Sequence, residues 1–204
     1  MFSQGDIGLE SIYKLFKNGE YKKHLSATQQ TIFKNTLADA LAKKPQEAVN
    51  TILIGKTDLP NGDYFRDAAN QSLKVLSLLD KNNYTFNTYQ IYDKYLKAYA
   101  IIREKNYRQY NYADSLLKQA LIIQPDAAFV LHGLGLIADY KDDAPLAEKY
   151  FQQAINLIPT WIFPRSSLGN SLRSQGKYKE AIAIFEHTIK MNPNFSWSYN
   201  NLAS

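Results

Sequence analysis

Apolar residues return at every third or fourth position through most of this chain, which is the spacing of helices with one face on a core rather than of alternating strands. "GLESIYKLFKNG" puts Leu9, Ile12, Leu15 and Phe16 on one stripe closed by Gly19. "SATQQTIFKNTLADALAKK" opens with Ser26 and Gln29 at the spacing of a capping box. Lys44-Pro45 then predicts a break, followed by a short helix, "QEAVNTILIG". "TDLPNGD" is rich in turn residues and is the best internal boundary. After it, Phe65, Ala68, Ala69, Leu73, Leu76 and Leu79 line one helical face, and "TYQIYDKYLKAYAIIREKN" predicts a further long helix.

From there the pattern repeats with a period of 34. Leu134-Gly135 returns as Leu168-Gly169, Ala147 as Ala181, Phe151 as Phe185 and Pro159 as Pro193. Ala113, Leu117, Ala120 and Pro125 match Ala147, Phe151, Ala154 and Pro159 one step earlier. Two helices of three to four turns with two short turns consume about 34 residues, so each period is a helical hairpin. Gly135 and Gly169 fall inside the first helix, where glycine costs about 1 kcal/mol against alanine. A close helix approach is therefore expected there, with Ala147 and Ala181 as partners and Phe151 and Phe185 filling the gap to the next repeat. Each second helix should stop at Pro125, Pro159 or Pro193, and Gly176 with Lys177 and Tyr178 should mark a hairpin turn.

With these landmarks the chain resembles the tetratricopeptide repeat family, whose pattern runs aromatic-x2-Leu-Gly-x2-Tyr, Ala-x3-Phe, Pro. The resemblance implies an all-α fold, an α-α superhelix or solenoid of antiparallel helical hairpins. Residues 128–161 and 162–195 match the pattern well, and residues 94–127 match its second half, with Ala100-Ile101 where Leu-Gly is expected. Residues 196–204 start another first helix, with Tyr199 and Leu202 at landmark positions. The landmark tyrosine of the first helix is replaced by Ala138 and Leu172. Residues 61–93 read as divergent repeat-like helices and residues 1–60 as a helical N-terminal cap, which a solenoid needs to cover an apolar end.

Composition removes several classes of chemistry. There is no cysteine, so disulfides, thiolate metal sites and a cysteine nucleophile are excluded within these residues. The net charge of +5 is spread out: residues 1–60 hold 8 basic and 6 acidic groups, 61–125 hold 9 and 6, and 126–204 hold 7 and 7. That distribution argues against a nucleic-acid footprint, which needs clustering on one face. No run of about 18 apolar residues points to membrane insertion, and the first residues show no targeting pattern. The compartment is left open, with the cytoplasm favoured and a removed targeting signal allowed for. Gly55-Lys56-Thr57 lacks the glycine five residues earlier that a phosphate loop requires, because position 50 is Asn. Gly133, Gly135 and Ala138 have dinucleotide-loop spacing but sit in a repeat helix rather than after a strand. His24, His132 and His187 have no partner at zinc-ligand spacing. No cofactor, metal or catalytic residue is expected.

Stacked hairpins curve, and the concave wall of first helices binds extended peptides or a partner's helix. The family resemblance implies that first-helix positions 2, 5, 9, 12 and 13 face that groove. In residues 128–161 these are Phe129, His132, Leu136, Asp139 and Tyr140; in 162–195 they are Phe163, Ser166, Asn170, Arg173 and Ser174. Trp197, Asn200 and Asn201 would continue the wall, and Tyr95, Ala98, Ile102, Lys105 and Asn106 would precede it. Asparagines such as Asn170 and Asn201 can pair with the backbone of an extended peptide, and aromatic anchors supply apolar contact. Ser166 stands where carboxylate-gripping relatives carry lysine. The expected function is a non-enzymatic scaffold binding a protein or peptide partner. The alternative comes from "AVNTILIGKTDLPNGDYFRDAANQSLKVLSLL" and "PTWIFPRSSLGNSL", which are similar to helical-repeat regions beside caspase-like peptidase domains in bacterial proteins. That likeness implies a regulatory or targeting segment of a larger enzyme whose catalytic domain lies outside these residues.

Overall fold

The structure, a computed structural model, describes residues 4–54 and 58–193. Among them there are helices and turns and no strand. The helices are α1 (Gln4–Lys17), α2 (Ala27–Ile54), α3 (Gly62–Leu78), α4 (Phe86–Arg103), α5 (Tyr110–Ile123), α6 (Ala128–Tyr140), α7 (Ala144–Leu157), α8 (Ile162–Ser174) and α9 (Tyr178–Met191). Short 3-10 turns occupy Glu20–Lys23 and Tyr107–Gln109. Each helix from α2 onward packs on its successor, while α2, α4, α6 and α8 also touch in sequence and form one wall. This is a helical-repeat superhelix of the expected class. The phosphate-loop-like Gly55-Lys56-Thr57 lies outside the described residues.

The repeat core is built from one contact used twice. A Cβ placed on Gly169 would stand 2.5 Å from Cε1 of Phe185, and one on Gly135 would run into the ring of Phe151 in the same way. Phe151 and Phe185 are 0% and 1% exposed. The glycine partner is therefore the ring of the same repeat, not Ala147 or Ala181 as the spacing suggested. The alanines are buried one turn earlier on α7 and α9, where the absence of a large side chain lets those helices settle onto α6 and α8. A phenyl face needs a flat bed, and only a residue without Cβ leaves one on a helix surface.

The three hairpin turns share one geometry. Lys105 (φ 51°), Asp142 (φ 60°) and Gly176 (φ 76°) all take the left-handed conformation. In each turn the following amide reaches back five residues: Asn106 N to Ile101 O (3.2 Å), Asp143 N to Ala138 O (2.9 Å) and Lys177 N to Leu172 O (3.0 Å). These are Schellman closures, which satisfy the carbonyls a helix end leaves open. In the α4–α5 pair the closure comes early, and Tyr107–Gln109 fills the difference with a 3-10 turn. Lys105 and Asn106 consequently leave the first helix and sit in a turn, contrary to their expected place on the wall. The second helices α5, α7 and α9 end two residues before Pro125, Pro159 and Pro193.

The N-terminal part confirms some signals and overturns one. Ser26 and Gln29 form the capping box, with Ser26 N donating to Gln29 Oε1 at 2.9 Å and Gln29 N to Ser26 Oγ at 3.4 Å. Asn61 caps α3 by accepting from Tyr64 N at 3.1 Å. Lys44-Pro45 does not break the chain, because α2 runs through Pro45 for 28 residues. Proline inside a helix costs about 3 kcal/mol. Here its ring is buried on the same stripe as Leu41, Ala42, Ala48 and Val49, and packing against α3 and α4 holds the helix together. Lys44 also pairs with Asp67 of α3, and Arg66 of α3 with Glu104 after α4.

Candidate protein-binding groove

Helix periodicity brings one set of side chains from α4, α6 and α8 to the wall, and the wall divides into a closed half and an open half. In the closed half, Tyr95 is fully buried with its ring 4.7 Å from that of Phe129, which is partly buried and 6.3 Å from Tyr92. His132 is 3% exposed. Its ring lies 5.0 Å from Trp161, 5.8 Å from Phe151 and 6.5 Å from Phe163, and its Nε2 meets Ser167 Oγ at 3.1 Å. Burial without a counter-charge holds the imidazole down to about 3, so it is neutral at ordinary pH. Ser166 and Ala98 are also buried, and Phe163 is partly so. His132 and Ser166 are thus packed positions of the wall rather than open anchors.

Trp161 does the closing. It precedes α8, is 2% exposed, and donates its indole N–H to the carbonyl of Ile52 at 3.1 Å. Ile52 lies in the last turn of α2, where helix carbonyls lack internal partners. One hydrogen bond across 109 residues therefore ties the end of α2 to the turn before α8, against His132. Repeat spacing does not mark Trp161, whose equivalent one period earlier is the small, buried Ala127. Its signal was a lone tryptophan in a turn, a position where a large apolar ring needs a roof.

The open half holds Leu136 and Asn170, both partly exposed, with Asp139 and Arg173 also partly exposed and Ser174 exposed. Tyr140 is 44% exposed and stacks on Tyr110 at 5.5 Å. Among the described residues Asn170 Oδ1 is buried with no hydrogen-bond partner, and the hydroxyl of Ser171, a residue the position pattern did not select, is buried beside the Asp139 carboxylate. Burial pushes the Asp139 carboxyl above its usual range, with the neighbouring Ser171 hydroxyl working against the rise and Asp142 adding to it. Trp197, Asn200 and Asn201 lie outside the described residues. Among the described residues no group of three or more His, Asp or Glu side chains could hold a metal ion, and no helix is long and apolar enough to cross a membrane.

Residues 166–195 match the model of the tetratricopeptide repeat. The fold is similar to that of TTC0263, a thermophilic repeat protein of this type from Thermus thermophilus, at 17% identity over 96% of this chain and 95% of that one, with a TM-score of 0.57. It is also similar to YrrB, described as a repeat protein with an unusual peptide-binding site, at 10% identity over 96% and 90%, with a TM-score of 0.54. A third likeness is to an O-GlcNAc transferase variant from Thermobaculum terrenum, at 22% identity and a TM-score of 0.52. It covers 57% of this chain but only 22% of the transferase chain. At these identities the likeness is one of fold.

Proposed function

From a chain folded as a tetratricopeptide-repeat solenoid, we propose a scaffold that binds an extended protein segment along the open half of the concave wall. Leu136, Tyr140, Asn170 and Arg173 make the contacts. Phe129, His132, Phe163 and Ser166 shape its floor. The observation that carries this reading is Asn170. It sits on a groove position of α8 with a buried side-chain oxygen that nothing among the described residues satisfies. A buried acceptor left unpaired costs about 1 to 3 kcal/mol, a deficit that the backbone N–H of an extended ligand would remove.

The reading is tested with nonapeptides selected from a random display library on the intact chain, then measured singly by fluorescence anisotropy. Asn170→Ala should weaken the selected peptides by about fivefold to tenfold, the value of one such hydrogen bond, with an unchanged melting temperature. Gln153→Ala, on the exposed side of α7, should leave binding intact. Equal weakening by both variants would place the contact elsewhere.

A further inference from the structure

The charge totals of residues 1–60 hide a local excess. From residue 11 to residue 38 the sequence holds five lysines, Lys14, Lys17, Lys22, Lys23 and Lys34, against one carboxylate, Glu20. None of these six charges has an ion-pair partner among the described residues. Lys14, Lys17, Lys22 and Lys23 are exposed, and among them Ile12 and Leu15 of α1 are 39% and 46% exposed. A cleft of about 400 Å³ opens between α1, the Glu20–Lys23 turn and α2, lined by Leu15, Tyr21 and Phe33 together with Glu20, Lys23 and His24. The rings of Tyr13, Phe16, Tyr21 and Phe33 follow one another at 6.0, 5.4 and 5.1 Å, one aromatic row that joins α1 to α2. Apolar surface and unpaired positive charge therefore meet at one end of the molecule.

We propose that this end is a docking surface for a membrane carrying anionic lipids, with Leu15 and the cleft taking acyl-chain carbon and Lys14, Lys17, Lys22 and Lys23 facing the headgroups. Each lysine near an anionic bilayer adds to binding, and apolar side chains among the lysines reach below the headgroups. The lysine stem lies against carbon while its ammonium stays in the polar layer. The lining suits an acyl chain better than a peptide. Apart from the Tyr21 hydroxyl it holds no neutral polar side chain, so a peptide backbone placed there would leave N–H and C=O groups unpaired, whereas a hydrocarbon chain has none to satisfy. Glu20 is the one charge that opposes docking, and the lysines around it outnumber it. Since α1 packs on α2 rather than on α6 or α8, the surface is separate from the groove and does not depend on that reading.

The test is sedimentation of the intact chain with vesicles of pure phosphatidylcholine and of phosphatidylcholine holding about 30% phosphatidylserine. The protein should pellet with the anionic vesicles alone, and high salt should release most of it. Lys22→Gln combined with Lys23→Gln should weaken binding about thirtyfold, the worth of two lysines at an anionic surface, and Leu15→Ser about tenfold. Lys149→Gln combined with Lys179→Gln, exposed on α7 and α9, removes the same charge elsewhere and should leave binding intact. No pelleting, equal pelleting with both vesicles, or equal weakening by the two lysine pairs would overturn the proposal. All variants should melt with the wild type; if Leu15→Ser melts clearly lower, Leu15 serves the fold and the lysine pairs decide alone. Sedimentation equilibrium without lipid should find no dimer that Leu15→Ser dissociates. Such a dimer would give the surface to a second copy of the chain and overturn the membrane reading.

Discussion

At the scale of single residues the fold depends on two rings lying on two glycines. Gly135→Ala or Gly169→Ala drives a methyl group into Phe151 or Phe185, whose rings are walled in on all sides. Overpacking of this kind costs about 1 to 3 kcal/mol and should outweigh the roughly 1 kcal/mol by which a helix prefers alanine. Urea denaturation should show the loss, and Gly169→Ala combined with Phe185→Leu should recover part of it. An unchanged midpoint in the single variants would show that the rings have room to move. His132 gives the fold a pH dependence. Its folded-state value of about 3 lies below the ordinary 6.5, so between those values the unfolded chain binds a proton that the folded chain refuses. The contribution is complete above about pH 6.5 and drains by about 1.4 kcal/mol per pH unit as acid is added. His132→Phe should flatten the melting profile between pH 6 and 4 relative to wild type, and parallel profiles would contradict a neutral buried imidazole. The glycines were visible in the sequence by their spacing. Their partners were not, because residues at i and i+4 on the facing helix share a face and only packing decides which of them touches.

Among the elements, the hairpin turns and the long helix α2 show where sequence signals run out. Gly176 announced its turn, whereas Lys105 and Asp142 hide the same closure behind residues that rarely take a positive φ. Lys105 bears the larger penalty, since a left-handed non-glycine residue costs on the order of 1 to 2 kcal/mol and lysine has no short polar group to offset it. Lys105→Gly should therefore raise the unfolding free energy by about 1 kcal/mol in chemical denaturation, less the entropy glycine brings to the unfolded chain. No gain would mean that the turn is held by its surroundings at no local cost. Pro45 failed as a helix breaker because burial over a full stripe of α2 outweighs one missing hydrogen bond. Trp161 is an element-scale link, tying the end of α2 to the start of α8. Trp161→Phe keeps an aromatic ring and deletes the donor, so it should cost about 1 kcal/mol and speed amide exchange in residues 48–54. Unaltered exchange there would show that apolar contact alone holds α2 in place.

Across the whole molecule, the repeat period dictated a wall of first helices and put Leu136, Tyr140, Asn170 and Arg173 on it. It could not reveal that the wall is half closed, because the cover comes from α2 and Trp161, outside the repeated positions. The register that selected His132 and Ser166 as groove residues did not foresee that both side chains are buried, His132 against Trp161. What is left open runs from Leu136 to Tyr140 on α6 and from Asn170 to Ser174 on α8, a surface suited to one stretch of extended chain. The most direct test of that account is backbone amide exchange of the intact chain with and without a selected nonapeptide. Slowed exchange or shifted resonances confined to α6 and α8 around Leu136, Asp139 and Asn170 is the expected outcome. Changes centred on the outer helices α5, α7 and α9, with α6 and α8 untouched, would contradict it.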